Sequence, residues 1–213
     1  RVTSATIGEK IARTATRLPG VSRDSKVVDA FAGIGGNAIR FAYYFNTVHA
    51  TEVDPQLRGM LRSNIEAFDM LNKVFVHDGY YQDLPVAQTT PTILFLDPNW
   101  SDDMGNNYRD DHRVRISVPA PGDMMTPIED VIANARARYV IVKLPVNYDL
   151  AHMERIIGSR CHIFHMVVEN PPNSMRVIYG AYSNDDAVAA RQLLRLAGLV
   201  TIPQCANLTR NTR

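Results

Sequence analysis

The stretch Val27-Val28-Asp29-Ala30-Phe31-Ala32-Gly33-Ile34-Gly35-Gly36-Asn37 constrains this chain more than any other. Lys26 to Ala30 reads as a short buried strand. Gly33, Gly35 and Gly36 make a turn that residues without a Cβ tolerate best. Asn37 caps an apolar run, Ala38 to Phe45, that reads as a helix. A strand, a glycine turn and a helix start form a nucleotide-binding corner. The turn lets a ligand approach the backbone, and the helix start offers free N–H groups.

The segments that follow sharpen this reading. Val48 to Asp54 reads as a second strand ending in acids. Glu52 lies 23 positions after Asp29, where an acid can take the two hydroxyls of a ribose. A third strand, Val74 to His77, ends at Asp78. A fourth, Thr92 to Leu96, ends at Asp97-Pro98-Asn99-Trp100. Asp29, Glu52, Asp78 and Asp97 thus converge on one edge of a parallel sheet, the edge where open α/β sheets bind ligands. An acid before the glycines suits a cationic amino group better than a pyrophosphate. S-adenosylmethionine carries that ammonium, a ribose and an adenine but no phosphate, so it is expected here in preference to NAD or FAD.

The chain's 213 residues suffice for one α/β domain with a full core, and a hydrophobic content of 46% indicates a globular protein. No apolar run nears the ~20 residues that span a bilayer, and no signal-peptide pattern is present. An intracellular protein is expected, nuclear or cytoplasmic, neither secreted nor membrane-bound. A net charge of +1 excludes holding nucleic acid by bulk charge alone, although a local basic patch stays open. Cys161 and Cys205 give neither a disulfide framework nor zinc spacing. His162 and His165 fall on opposite faces of a strand. No metal is expected.

Residues 1–20 read as a helical lead-in. Thr6 to Ala15 has helical spacing, with Thr6 as cap and Glu9 completing a capping box. This helix either closes over the cofactor or only packs. Pro55 to Leu71 reads as a helix presenting Leu57, Met60, Leu61, Ile65 and Phe68 to the core. Residues 101–125 are polar and broken by Pro119-Ala120-Pro121-Gly122. So long a stretch beside Asp97 reads as a substrate-side loop. Thr126 to Arg136 reads as a helix, Tyr139 to Lys143 as a fifth strand and Leu150 to Ile157 as a helix. Cys161 to Val168 and Arg176 to Tyr182 read as an antiparallel pair around Asn170-Pro171-Pro172-Asn173. Ala187 to Leu196 is a last helix, stopped by Gly198. No internal repeat or second core is visible, so residues 1–213 read as a single domain.

Asp97-Pro98-Asn99-Trp100 carries a chemistry of its own. An exocyclic purine amine is a poor nucleophile because its lone pair is delocalised into the ring. Hydrogen-bond acceptors on both N–H groups localise and aim that lone pair. The Asp97 carboxylate and the Pro98 carbonyl can act together, and Pro98 stiffens the backbone. Trp100 can stack on the base. A sulfonium methyl donor is already activated, so orientation does most of the work. Asp97, Pro98 and Trp100 are therefore the candidate catalytic residues. A helix-capping Asp and a core Trp are the structural alternative.

Asp29 to Ala42 closely resembles the cofactor motif of trimethylguanosine synthases, the RNA-cap guanine-N2 methyltransferases. The Gly35-Gly36-Asn37 ending is unusual among methyltransferases. Thr6 to Ala12 is similar to that family's helix before the sheet. Leu94 to Trp100 is similar to its Ser-Pro-Pro-Trp motif, Leu144 to Asp149 to its Leu-Pro-Arg-Asn segment, and Arg176 to Tyr182 to its final strand. The resemblance implies a Rossmann-like class I methyltransferase: a mostly parallel seven-stranded α/β sheet with helices on both faces. It implies S-adenosylmethionine as cofactor and a 7-methylguanosine cap, or capped RNA, as partner. Cofactor-binding residues would be Thr6, Asp29, Ala30, Phe31, Gly33, Gly35, Asn37, Glu52, Asp78 and Asp97. Of these, Asp29, Phe31 and Gly33 border the methionine part, Glu52 binds ribose and Asp78 reads adenine. Trp100 would stack on the cationic 7-methylguanine, gaining roughly 1–2 kcal/mol from the cation–π term.

Three departures accompany the resemblance. Asp97 replaces the family's Ser, Asn99 its second Pro, and Val146 an Arg that helps hold the cap triphosphate. Lys143, Lys10, Arg109 or Arg176 could substitute for that Arg. Trp100, Asn147, Lys143, Lys10 and Arg109 are the candidate substrate-binding residues. Asp-Pro-x-Trp also leans toward adenine-N6 methyltransferases. Lys10, Asp97 and Lys143 fall where the Lys-Asp-Lys-Glu set of cap ribose 2′-O enzymes would need them, without a convincing fourth acid. A degenerate methyltransferase fold used as a binding module is the non-catalytic alternative.

Overall fold

The computed structural model describes residues 3–84, 91–100, 113–122, 124–169 and 175–197. Arg109, the rest of 101–112, Asn170-Pro171-Pro172-Asn173, Gly198 and the residues after it lie outside them. The chain forms α1 (Ala5–Ala15), β1 (Lys26–Asp29), α2 (Gly36–Tyr44), β2 (Thr47–Glu52), α3 (Pro55–Ala67), β3 (Val74–Asp78) and a 3-10 turn (Tyr81–Asp83). There follow β4 (Ile93–Leu96), β5 (Ser117–Ala120), β6 (Met124–Pro127), α4 (Ile128–Asn134), β7 (Tyr139–Pro145), α5 (Leu150–Ile157), β8 (His162–Glu169), β9 (Met175–Ala181) and α6 (Asn184–Leu196).

Seven strands make one sheet in the order β3-β2-β1-β4-β7-β9-β8. β3, β2, β1, β4 and β7 pair in parallel, and β9 runs antiparallel to both β7 and β8. The sequence places the interior strands by their β-branched and aliphatic runs, which suit burial on both faces. Alternation then divides them. Val27, Ile93, Phe95, Tyr139 and Ile141 face one apolar layer with α1, α2, α3 and α6. Val28, Leu94, Leu96, Val140 and Val142 face the other, with α4, α5 and the β5–β6 hairpin. The expected mostly parallel sheet with helices on both faces is what forms.

The order places the site. From β1 the chain moves outward to β2 and β3, then returns to β4 on the other side of β1. That reversal leaves a crevice at the carboxyl ends of β1 and β4, where Asp29 and Asp97 lie.

Several local expectations are corrected. Ser4, not Thr6, caps α1 by accepting the Ile7 N–H at 3.4 Å. Thr6 is exposed, and Glu9 closes no capping box: its carboxylate accepts the Tyr44 hydroxyl instead. Gly35, not Asn37, is the N-cap of α2, which leaves the Asn37 side chain free to turn inward. α3 stops at Ala67 and buries only Leu61 and Ile65, whereas Leu57, Met60 and Phe68 are exposed because the sheet edge covers a narrower stripe than their spacing suggests. Part of the expected loop is instead an antiparallel hairpin, β5–β6, with Ser117 opposite Pro127 and Pro119 opposite Met125.

Candidate active site

The glycine turn is fixed by backbone geometry. Gly33 and Gly35 have φ values of +54° and +96°, a region that side chains with a Cβ rarely adopt. A Cβ on Gly35 would lie 2.6 Å from Leu61 Cδ1, so α3 packs directly against the turn. The Asn64 amide donates to the Ile34 carbonyl at 2.8 Å and pins it from the same helix. Among the described residues, no atom outside its immediate chain neighbours lies within 4 Å of a Cβ built on Gly33, whose backbone borders an open cavity.

That cavity has a volume of about 360 Å³, within the range of small-molecule sites. The turn (Phe31, Gly33, Asn37), Glu52 and the Asp97–Trp100 segment all line it. Glu52 joins the turn to β2. Its Oε2 accepts the Gly33 N–H at 2.8 Å and its Oε1 the Asp54 N–H at 2.9 Å. A carboxylate has about four acceptor positions, so acceptor capacity remains for hydroxyl groups.

Asp97 sits at the centre of a polar cluster. Lys143 Nζ donates to its two oxygens at 3.0 and 2.8 Å. The Thr3 hydroxyl donates to Oδ2 at 2.9 Å, and the Asn37 amide to the same oxygen at 3.0 Å. Thr3 in turn accepts from Lys143 at 2.8 Å. The side chains of Lys143 and Asp97 are only 5% and 10% exposed. Buried charges require this kind of pairing. Lys143 also lines the cavity, with its ammonium donating to Asp97 and Thr3.

Asp29 is fully buried, below the cavity wall rather than on it. Neither of its oxygens has a hydrogen-bond partner among the described residues, although the Phe31 amide is near enough to favour the anion slightly. Burial, with Asp97 nearby adding to it, pushes this carboxyl up to about 8. A cationic ligand here offsets that penalty.

Trp100 belongs to both site and core. It is 6% exposed and packs in the second apolar layer, yet it lines the cavity. Its indole N–H donates to the Lys143 carbonyl at 3.2 Å, and Lys143 Nζ lies 5.1 Å from the ring centroid.

The remaining candidates are more dispersed. Ala30 lines a small bay of about 20 Å³ adjoining the cavity. Asp78 is 64% exposed and ion-paired with Arg58 and Arg62, at 3.0 and 2.8 Å. Lys10 is exposed on α1, and Asn147 lies in the turn after β7, its carbonyl accepting the Val114 N–H. Neither is on the cavity wall. Sequence reasoning missed Thr3, Pro119 and Val53 on that wall. Thr3 carries no pattern of its own, and Pro119 reads as a loop breaker.

The sequence profile of the RNA cap guanine-N2 methyltransferases matches residues 24–182. The chain belongs to this family. It is 28% identical over 124 residues to an uncharacterised protein of Acanthamoeba polyphaga mimivirus, covering 58% of this chain and 47% of that protein. It is 27% identical over 135 residues to the trimethylguanosine synthase of Schizosaccharomyces pombe, covering 60% and 53%. The chain spans about half the length of these curated relatives. A putative RNA methyltransferase from Pyrococcus horikoshii has a similar structure, with a TM-score of 0.60 at 12% identity, covering 84% of this chain and 86% of that one. At that identity the likeness shows the class I methyltransferase fold. Among the described residues, no group of His, Cys, Asp or Glu side chains could hold a metal, and no helix is long and apolar enough to cross a membrane.

Proposed function

We propose that this chain is an S-adenosylmethionine-dependent methyltransferase acting on the exocyclic N2 amine of a 7-methylguanosine RNA cap. One observation carries the reading: the glycine turn, Glu52 and Asp97-Pro98-Asn99-Trp100 line the same cavity. A methyl donor and an amine acceptor held there meet within one enclosure, and proximity supplies most of the rate.

The residues present fit the cofactor. The open backbone of Gly33 admits the methionine part, Glu52 has acceptor capacity for ribose hydroxyls, and Asp29, beneath the turn, becomes an anion when a cation offsets its burial. When bound, S-adenosylmethionine supplies a methyl group already activated on a sulfonium.

Asp97 and the Pro98 carbonyl accept hydrogen bonds from the substrate amine and aim its lone pair. Lys143 compensates the charge of Asp97, and Asn37 and Thr3 hold the carboxylate in place. As the sulfonium's bond to its methyl carbon breaks and leaves a thioether, the amine nitrogen would gain that carbon and shed one proton to Asp97 or to water. Trp100 offers its ring to the cationic base.

The Asp97–Lys143 pair favours one second reading, in which the acceptor is a ribose hydroxyl. A single experiment separates the two. Methyl transfer from labelled S-adenosylmethionine is measured to 7-methylguanosine diphosphate, to guanosine diphosphate and to an adenine-containing oligonucleotide, and the label is located by mass spectrometry. Label on the guanine base of the first substrate alone supports the proposal. Label on ribose supports the second reading. Label on a base of the oligonucleotide alone overturns both.

A further inference from the structure

α1 gathers its cations on one side. At about 100° per residue, Thr6, Lys10, Arg13 and Arg17 fall within a sector of about 60°, and all four are exposed. Arg17 lies just past the helix, in a turn closed by its N–H on the Thr14 carbonyl. The one acid of α1, Glu9, stands beside this strip and accepts the Tyr44 hydroxyl of α2. Arg13 and Arg40 of α2 both lie near that hydroxyl. Arg40 in turn sits 5.6 Å from the ring centroid of Tyr43, which is 44% exposed. The strip therefore combines cations with a neighbouring aromatic face, the pairing that single-stranded nucleic acid binds. The dipole of α1 favours cations at its carboxyl end, which accounts for Arg13 and Arg17 but not for Lys10 in the middle of the helix.

The strip also has a direction. Thr3, just before α1, lines the cavity and donates to Asp97. Beyond the other end of α1, the Pro19 carbonyl accepts the hydroxyl of Tyr139, which opens β7 at the far edge of the sheet. α1 thus leads away from the cavity mouth. With a rise of about 1.5 Å per residue, Lys10 lies about 10 Å along from Thr3, and Arg13 and Arg17 follow in steps of about 5 Å. Such steps suit one cation for each phosphate of an extended strand. Lys143, the cation on the cavity wall, is paired with Asp97. A polyanion leaving the cavity finds further counter-charge on α1.

We propose that the strand of a capped RNA leaves the cavity along α1, with successive phosphates on Lys10, Arg13 and Arg17. The inference rests on the cap reading above and extends it from the cap nucleotide to the RNA attached to it. Contacts to phosphate carry no sequence information, so the strip accepts any strand. They act locally, which agrees with a net charge of only +1.

The test compares 7-methylguanosine diphosphate with a capped RNA of about ten nucleotides, by methyl transfer and by fluorescence anisotropy over a range of salt. The wild-type chain should have a KM about thirtyfold lower for the RNA at low salt. Arg13→Gln combined with Arg17→Gln should raise the RNA KM about tenfold. It should leave kcat, and the KM for the nucleotide, within about twofold. The slope of log affinity for RNA against log salt should become shallower by about 1.4. Arg155→Gln combined with Arg160→Gln removes the same charge from exposed positions in and after α5, on the other side of the sheet. That variant should change the RNA KM less than about twofold. Circular dichroism on each variant checks that it is folded. An unchanged RNA KM and salt slope in the α1 variant overturns the inference, and so does an equal loss in the α5 variant. A wild-type chain that methylates the nucleotide and gains nothing from attached RNA overturns it while leaving the cap reading in place. No transfer to either substrate overturns the cap reading, and this inference with it.

Discussion

Lys143 Nζ lies 2.8 Å from Asp97 Oδ2, with both side chains nearly sealed from water. Register explains the meeting. β4 and β7 are neighbours with Leu96 opposite Val142, so the next residues, Asp97 and Lys143, come together at the strand ends. Removing one partner leaves a buried charge with reduced compensation. Lys143→Met should therefore destabilise the fold by about 3 kcal/mol. Asp97→Asn combined with Lys143→Met should recover more than half of that loss. Urea unfolding of the two single variants and the double variant measures the coupling. Additive losses would mean that the pair contributes nothing beyond its separate hydrogen bonds.

Gly35 and Gly33 both have positive φ, but only Gly35 meets a neighbour. Gly33→Ala should cost about 1–2 kcal/mol, the strain of the left-handed backbone alone. Gly35→Ala adds a collision with Leu61 and should cost about 3 kcal/mol or more. Leu61→Val in the Gly35→Ala background should return part of the difference. Equal midpoints for the two alanine variants in denaturant would remove the packing argument.

The buried Asp29 carboxyl titrates well above its unfolded value of 3.8, at about 8. Between those two pH values the folded chain holds a proton that the unfolded chain has lost. Stability therefore falls as pH rises through this window. Asp29→Asn should flatten that slope and be more stable than wild type at pH 8, by an amount on the order of a few kcal/mol. A cationic cofactor favours the ionised form, so its binding below pH 8 should release a proton from Asp29. Calorimetry in buffers of different ionisation enthalpy reads that release, and affinity should rise with pH up to about 8. A binding enthalpy that is the same in every buffer would separate Asp29 from the ligand.

The parallel strands were legible because buried strands demand unbroken runs such as Val27-Val28 and Ile93 to Leu96, and β1 to β4 each ended where a carboxylate marked the sheet edge. Family membership was legible for a similar reason: the glycines of the turn are dictated by backbone geometry. The cluster around Asp97 was less legible. Lys143 is 46 positions away, and only the strand order brings it close. Thr3 carries no pattern, since a hydroxyl before a helix reads simply as part of a cap. Asn37 read as a cap because its type favours that role, but Gly35 took the position and the amide turned toward Asp97. The hairpin Ser117–Pro127 was hidden by Pro119, Pro121 and Gly122. Prolines break interior strands, yet a two-stranded hairpin has edges that tolerate them.

Trp100 combines a core position with a place on the cavity wall, so its two roles must be separated by substitution. Trp100→Ala would leave a void and cost about 3–5 kcal/mol, confounding any binding measurement. Trp100→Phe keeps an aromatic face and gives up the N–H donated to the Lys143 carbonyl, a loss of about 1 kcal/mol. Trp100→Leu keeps apolar volume without a π-face. If the ring stacks on a cationic base, affinity for 7-methylguanosine diphosphate should fall in the order Trp, Phe, Leu, by about threefold and then about tenfold or more. Affinity for S-adenosylhomocysteine should stay within about threefold throughout. Guanosine diphosphate, whose base is uncharged, should show a shallower series, because it lacks the cation–π contribution. Should both nucleotides and the cofactor analogue weaken together, in proportion to the loss of stability, the indole acts only through the core.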